Sequence, residues 1–211
     1  MLEKFFAPEY EYPPCGLFTA GHFVWLAFSL ILILIFLRLT YKKNDAFLLK
    51  FVRITGPLLI ILEIIKILYK FNYGYFNLDA WVPISYCSIF MYASLCSGYG
   101  KGYVKKLGDA FITFGSFPAG IGFLLVPSTS LTIMPAYHFL AFHSMLYHSV
   151  MAFTGLSYII RKISAFDLKN YLRYVLVFAV FAAVSVTLNS VTGCNLMTLQ
   201  DPFLLPFVFR R

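Results

Sequence analysis

Long uninterrupted runs of apolar residues decide what this chain can become. Residues 17–39, LFTAGHFVWLAFSLILILIFLRL, carry one charge, Arg38, close to their end. A helix needs about 20 apolar residues to cross the hydrocarbon core of a bilayer. Inside lipid every backbone N–H and C=O must be paired within the chain, so only helices or closed barrels span it. A barrel is written in alternating segments of about ten residues, and the apolar runs here do not alternate. Only 12% of the 211 residues are charged and 60% are hydrophobic, whereas soluble domains carry about 25% charged residues. The expectation is an all-α, polytopic membrane protein, a single domain over residues 1–211.

Six spans are expected, at residues 17–39, 51–68, 82–97, 107–126, 135–160 and 171–191. The third opens with Pro83, a residue suited to the first position of a helix. The tail PFLLPFVF is too short to span and is interrupted by Pro206, so it reads as interfacial or re-entrant. The first residues lack a basic stretch and a cleavage site, so the first span is expected to act as its own insertion signal. The net charge of +8 gathers at the span ends and reads as topology rather than as a nucleic-acid surface. Twelve of the 17 basic residues fall in the first, third and fifth connecting regions, among them Lys42, Lys43, Lys105 and Arg161. Basic loops stay inside, so both termini are expected outside a cell membrane. Tyr73, Tyr75, Phe76 and Trp81 suit an outer aromatic belt. In the fourth span Gly115, Pro118, Gly120 and Gly122 predict a thin, kinked helix that packs closely on its neighbours.

Polar groups inside such spans are costly and mark a functional interior. The fifth span holds His138, His143 and His148, with Ser144, Tyr147 and Ser149 among them. Histidines five apart point about 140° apart on a helix. Two-histidine metal sites on one helix want i, i+4 spacing, so no metal is expected. The four cysteines, Cys15, Cys87, Cys96 and Cys194, form no C-x-x-C pair, and no cofactor pattern is present. Hydrogen-bonded packing is one reading of the histidines, and inert burial is one reading of the cysteines.

The other reading makes Cys87 a nucleophile that histidine activates, since a thiol attacks as thiolate. Depth along the spans, at about 1.5 Å per residue, favours His143 as its partner. Glu63 and Lys66 are three apart and can pair on one helical face, either to organise packing or to meet a polar headgroup. Asn189 and Asn195 suit either an ester carbonyl or the cap of the sixth span. Cys15 and Cys194 both fall outside, where an oxidising compartment would let them pair.

Three short segments carry a resemblance. VPISYC, ending at Cys87, resembles the L-P-x-x-x-C motif of YwaF-like integral membrane proteins. SMLYHSVM resembles that family's histidine segment. NSVTGCNLMTL resembles its N-Y-M-x-L element, with Leu196 in place of the tyrosine. The family's animal relatives include a transmembrane phospholipid acyltransferase. The resemblance implies that Cys87 accepts an acyl group and that His148 is the general base, with membrane lipids as partners. The expected function is then acyl transfer or acyl hydrolysis on lipid through an acyl-cysteine, with Ser144 and Tyr147 at the substrate. A six-helix small-solute binding or transport subunit is the alternative. The A-x-x-x-A docking face of vitamin importers is absent, since the first span has only Ala20 and Ala27. Nothing in the sequence sets an oligomeric state.

The charge pattern makes a testable statement about topology. Cysteines introduced as Thr129→Cys and Asn77→Cys should react with an impermeant thiol reagent on intact cells, and Asn44→Cys should not. The opposite labelling pattern rejects the orientation.

Overall fold

The computed structural model describes residues 2–199. The expected apolar tail, with Pro206, Arg210 and Arg211, lies outside the described residues. These form helices and loops, with no strand among them. The helices are α1 (Leu2–Phe5), α2 (Ala20–Thr40), α3 (Asp45–Asn72), α4 (Leu78–Trp81), α5 (Ile89–Tyr99), α6 (Gly102–Phe111), α7 (Phe117–Leu125), α8 (Phe139–Ile160) and α9 (Leu168–Thr192). A π-helical turn, Ile112–Ser116, joins α6 to α7, and a 3-10 turn, Leu196–Thr198, follows α9.

Side-chain caps set several helix starts. Thr19, Asn44, His138 and Asp167 each accept a backbone N–H from the first turn of α2, α3, α8 and α9. Gly193 ends α9 in the left-handed conformation, at φ 70°. Among the described residues three stretches are long and apolar enough to cross a membrane: Ala20–Thr40, Gly102–Leu125 and Leu168–Thr192. The chain is therefore an all-helical membrane protein with three such stretches. The other three expected spans fall on helices of different character. α3 carries charges along its length, α8 carries histidines and serines, and α5 has only 11 residues.

The expected third span needs correction. Residues 82–88, with Pro83 and Cys87, precede α5 as irregular backbone and turn. Ser85 explains the late start, because its Oγ accepts the Ser88 N–H at 3.1 Å and meets Ser88 Oγ at 2.7 Å. Two prolines inside helices are also compensated. Pro57 has no N–H for the Arg53 carbonyl, and Tyr99 Oη donates to that carbonyl instead, at 2.7 Å. Pro118 follows the π-helical turn, which widens the ladder where a bond is missing.

Helix α8 lies at the centre, packed on α2, α3, α7 and the π-helical turn. Its close approach to α7 depends on glycine. A Cβ at Gly120 would stand 2.7 Å from Ala152 N and 2.9 Å from the His148 carbonyl oxygen. The basic connecting regions meet at one end of the bundle. Arg161 donates to the carbonyls of Thr40 and Lys43 at 2.6 and 2.7 Å, and Arg53 donates to that of Gly98 at 2.6 Å. Asp109 pairs with Lys105 and accepts from Ser97 Oγ, both at 2.6 Å. At the other end the N-terminal segment lies across α3 and α8. The Ala7 carbonyl accepts from Tyr69 Oη and His138 Nε2 at 2.5 and 2.9 Å, and Glu9 pairs with Lys70.

Gly120→Leu should destabilise the bundle by about 1–3 kcal/mol, since overpacked interiors must shift, and lower Tm in detergent by roughly 2–10 °C. Gly122→Leu, two residues on and facing open space, should leave Tm nearly unchanged. Equal melting of the two variants would contradict this packing.

Candidate active site

A cavity of about 760 Å³ opens between the ends of α3, α7 and α8 and the segment before α5. Most of the residues singled out from sequence border it: Glu63, Lys66, Cys87, His143, Ser144, Tyr147, His148 and Asn195. Apolar side chains such as Ile84, Phe123 and Leu140 make up much of the wall. Lys70 and Glu63 mark its extent along α3, about 10 Å apart by helical rise.

Cys87 sits in the turn leading into α5, not inside a helix as expected. Its carbonyl accepts from Phe90 N and from Tyr147 Oη, both at 3.0 Å. Tyr147 thereby ties the cysteine backbone to α8. The tyrosine ring lies 6.1 Å from the His143 ring and 5.5 Å from the His148 ring, centroid to centroid. Among the described residues no hydrogen bond joins the Cys87 thiol to either imidazole. Such bonds are often loose before substrate is present.

The four histidines divide into two kinds. His22 Nδ1 accepts from Phe18 N and its Nε2 meets the Leu124 carbonyl, both at 3.0 Å. His138 Nδ1 accepts from Leu140 N at 3.1 Å, and its Nε2 donates to Ala7. In these two, hydrogen bonds to the backbone engage both ring nitrogens. His148 Nδ1 lies 2.7 Å from the Ser144 carbonyl oxygen, which can only accept, so this nitrogen carries the ring proton. That leaves an unprotonated Nε2, which is buried and has no hydrogen-bond partner. The His148 ring stacks on Phe123, with centroids 3.6 Å apart and planes 8° apart, which fixes its orientation. His143 Nε2 is also buried without a hydrogen bond, and lies 3.9 Å from Glu63 Oε2. Both histidines border one cavity although they stand five positions apart. Residues of α3, α7 and the pre-α5 segment surround α8 there, so one cavity meets two sides of the helix.

Glu63 and Lys66 pair at 2.5 Å, as their spacing predicts. Asn189 needs correction. Its Oδ1 accepts from Leu196 N at 2.8 Å and its Nδ2 donates to the Leu196 carbonyl at 3.0 Å. It does not border the cavity; its side chain clamps the turn that presents Asn195 and Met197 there, and its carbonyl accepts the Gly193 N–H at the end of α9. Cys15 and Cys194 are free thiols rather than partners, with Cys15 Sγ 3.2 Å from Thr19 Oγ1. Among the described residues no group of acidic, histidine and cysteine side chains suits a metal ion. Sequence reasoning missed Lys70, Asp79 and Glu9, which also border the cavity. Lys70 was accessible to it, being four residues from Lys66 on one helical face.

A cavity bordered by a thiol and two histidines, inside an apolar helical bundle with three stretches able to cross a membrane among the described residues, marks a membrane protein. The sequence profile of the TMEM164 family, a transmembrane protein family, matches residues 17–209, and the chain belongs to that family. No curated protein and no solved structure matches it.

Asn189→Ala would leave the buried N–H and C=O of Leu196 unpaired, costing about 1–3 kcal/mol for each. Thermal unfolding should show a clear loss of stability. An unchanged Tm would contradict the clamp.

Proposed function

We propose that the protein is a lipid acyltransferase or acyl hydrolase that works through an acyl-Cys87 intermediate. It would span the cell membrane six times, with both termini outside. The observation that carries this reading is the pairing, on one cavity, of the Cys87 turn with a His148 whose Nδ1 is committed and whose Nε2 is free. Three further supports are chemical. Cys87 stands in the turn just before α5, so its thiol is presented at a helix entrance rather than along a helical face. Tyr147 holds the cysteine backbone in place. The cavity combines apolar walls for a chain with Glu63, Lys66 and Asn195 for a headgroup.

In the first step the Cys87 proton moves to His148 Nε2 and the thiolate attacks an ester carbonyl. The ester C–O bond breaks, and the imidazolium returns the proton to the departing alkoxide. The acyl group then rests on sulfur as a thioester, ready for a hydroxyl acceptor or water. The resemblance of VPISYC and SMLYHSVM to YwaF-like segments supports the same two residues. The second reading, a small-solute binding or transport subunit, draws on the ion-paired walls of the cavity.

Lipid turnover by purified protein decides between them. Cys87→Ala should abolish acyl transfer with the protein still folded, because the covalent route is lost. His148→Ala should slow it about 10²–10⁴-fold, and Cys96→Ala should be nearly silent. Equal turnover by Cys87→Ala and the unmodified protein rejects the enzyme and favours the binding subunit.

A further inference from the structure

An acyl-cysteine mechanism has two proton-transfer problems. The first is to free the thiol; the second is to free the hydroxyl that removes the acyl group. His148 answers the first, and its fixed Nδ1 bond to a peptide carbonyl gives it one available nitrogen. A second imidazole borders the same cavity in a different electrostatic setting. His143 Nε2 lies 3.9 Å from Glu63 Oε2, and both side chains are buried. Lys66 holds the other carboxylate oxygen at 2.5 Å. The carboxylate thus has one oxygen against Lys66 and the other turned to the histidine.

We propose that His143 and Glu63 form a second acid–base pair, which activates the hydroxyl acceptor in the step that empties acyl-Cys87. This rests on the acyl-cysteine reading above. His143 is the catalytic residue and Glu63 positions it. With the Nε2 proton toward the carboxylate, Nδ1 holds the ring lone pair. The acceptor O–H proton passes to Nδ1 while its oxygen forms the new C–O bond to the thioester carbonyl. The C–S bond breaks and its electron pair stays on Sγ. The imidazolium then returns the proton to the Cys87 thiolate as product leaves, so the cycle closes without another reactant.

The separation of 3.9 Å suits this role. It is too long for a hydrogen bond to the neutral ring. Once the ring gains a proton, it and the Glu63 oxygen turned away from Lys66 carry opposite charge and attract. The interaction therefore strengthens as the proton arrives, which lowers the barrier rather than merely tightening the resting state. His148, facing a neutral carbonyl, lacks that gain. The two histidines divide the chemistry by their partners.

The test uses purified full-length protein and p-nitrophenyl octanoate. Nitrophenolate release reports acylation, and intact-mass analysis reports octanoyl-Cys87. Glu63→Gln alone would strand the Lys66 charge in the cavity, so it is combined with Lys66→Met. In His143→Gln and in the Glu63→Gln, Lys66→Met protein, a burst of about one nitrophenolate per chain should still appear. Turnover should then fall about 10²–10⁴-fold, with octanoyl-Cys87 accumulating. Hydroxylamine, which attacks thioesters without a base, should restore turnover in both. Glu63→Asp should keep more turnover than the glutamine variant. Adding 1-octanol separates the two hydroxyl sources: octyl octanoate marks an alcohol acceptor and octanoic acid marks water, and His143→Gln should slow both products. Unchanged turnover overturns the proposal, as does a loss of the first nitrophenolate equal to the loss of turnover. If Cys87→Ala hydrolyses the ester as fast as the unmodified protein, the acyl-cysteine reading itself fails, a result distinct from either of these.

Discussion

The hydrogen bond from Tyr147 Oη to the Cys87 carbonyl is the contact on which the cavity's arrangement depends. Backbone that leaves a helix at membrane depth must have its polar groups paired, or line a cavity. Residues 82–88 do both. The Cys87 carbonyl takes the tyrosine and the Phe90 N–H, Ser85 pairs the Ser88 N–H, and Val82, Pro83 and Ile84 border the cavity. A continuous helix from Val82 would carry Cys87 on a fixed face with its carbonyl inside the ladder. The turn instead puts the thiol at a helix entrance, with its backbone under the control of α8.

Helix α8 can exert that control because α7 approaches it without side chains between. Gly120 lets α7 run against Ala152 and the His148 carbonyl. That contact brings Phe123, three residues on, flat against the His148 ring. The π-helical turn before Pro118 serves the same register. It absorbs the missing N–H of the proline within an otherwise apolar stretch, and the helix continues through it. Close packing, a widened turn and a stacked imidazole are thus successive consequences of three small or cyclic residues in one stretch: Gly115, Pro118 and Gly120.

Features set by spacing within one element were legible in the sequence. The apolar stretches at α2 and α9, the Glu63–Lys66 pair, the thin α7 and the polar character of α8 all follow from periodicity and local composition. Features set by distant partners were not. Nothing near Ser85 announces that the helix waits until Ile89, because Pro83 equally suits a helix start. Asn189 suited either an ester or a helix cap, because its partner, Leu196, is bound through backbone groups that carry no sequence signal. The pairing of Glu9 with Lys70 joins residues 61 positions apart, and local spacing has no hold on it. The angle between His143 and His148 holds along the helix, and the cavity reaches both because it meets two sides of α8.

The histidines supply an internal control on function. Four occur in one bundle, all of them buried. His22 and His138 have both nitrogens engaged, by the backbone of Phe18, Leu124, Leu140 and Ala7. The chain can therefore satisfy a buried imidazole where only packing is at stake. His143 and His148 each keep an Nε2 buried without a hydrogen bond, at a cost of about 1–3 kcal/mol for a stranded polar atom. Both border the cavity that holds Cys87, and the two satisfied histidines do not. Unpaired buried polar atoms in a native fold call for an explanation. Under the acyl-cysteine proposal the two have different uses: the open Nε2 of His148 takes the thiol proton, and that of His143 faces the Glu63 carboxylate across 3.9 Å.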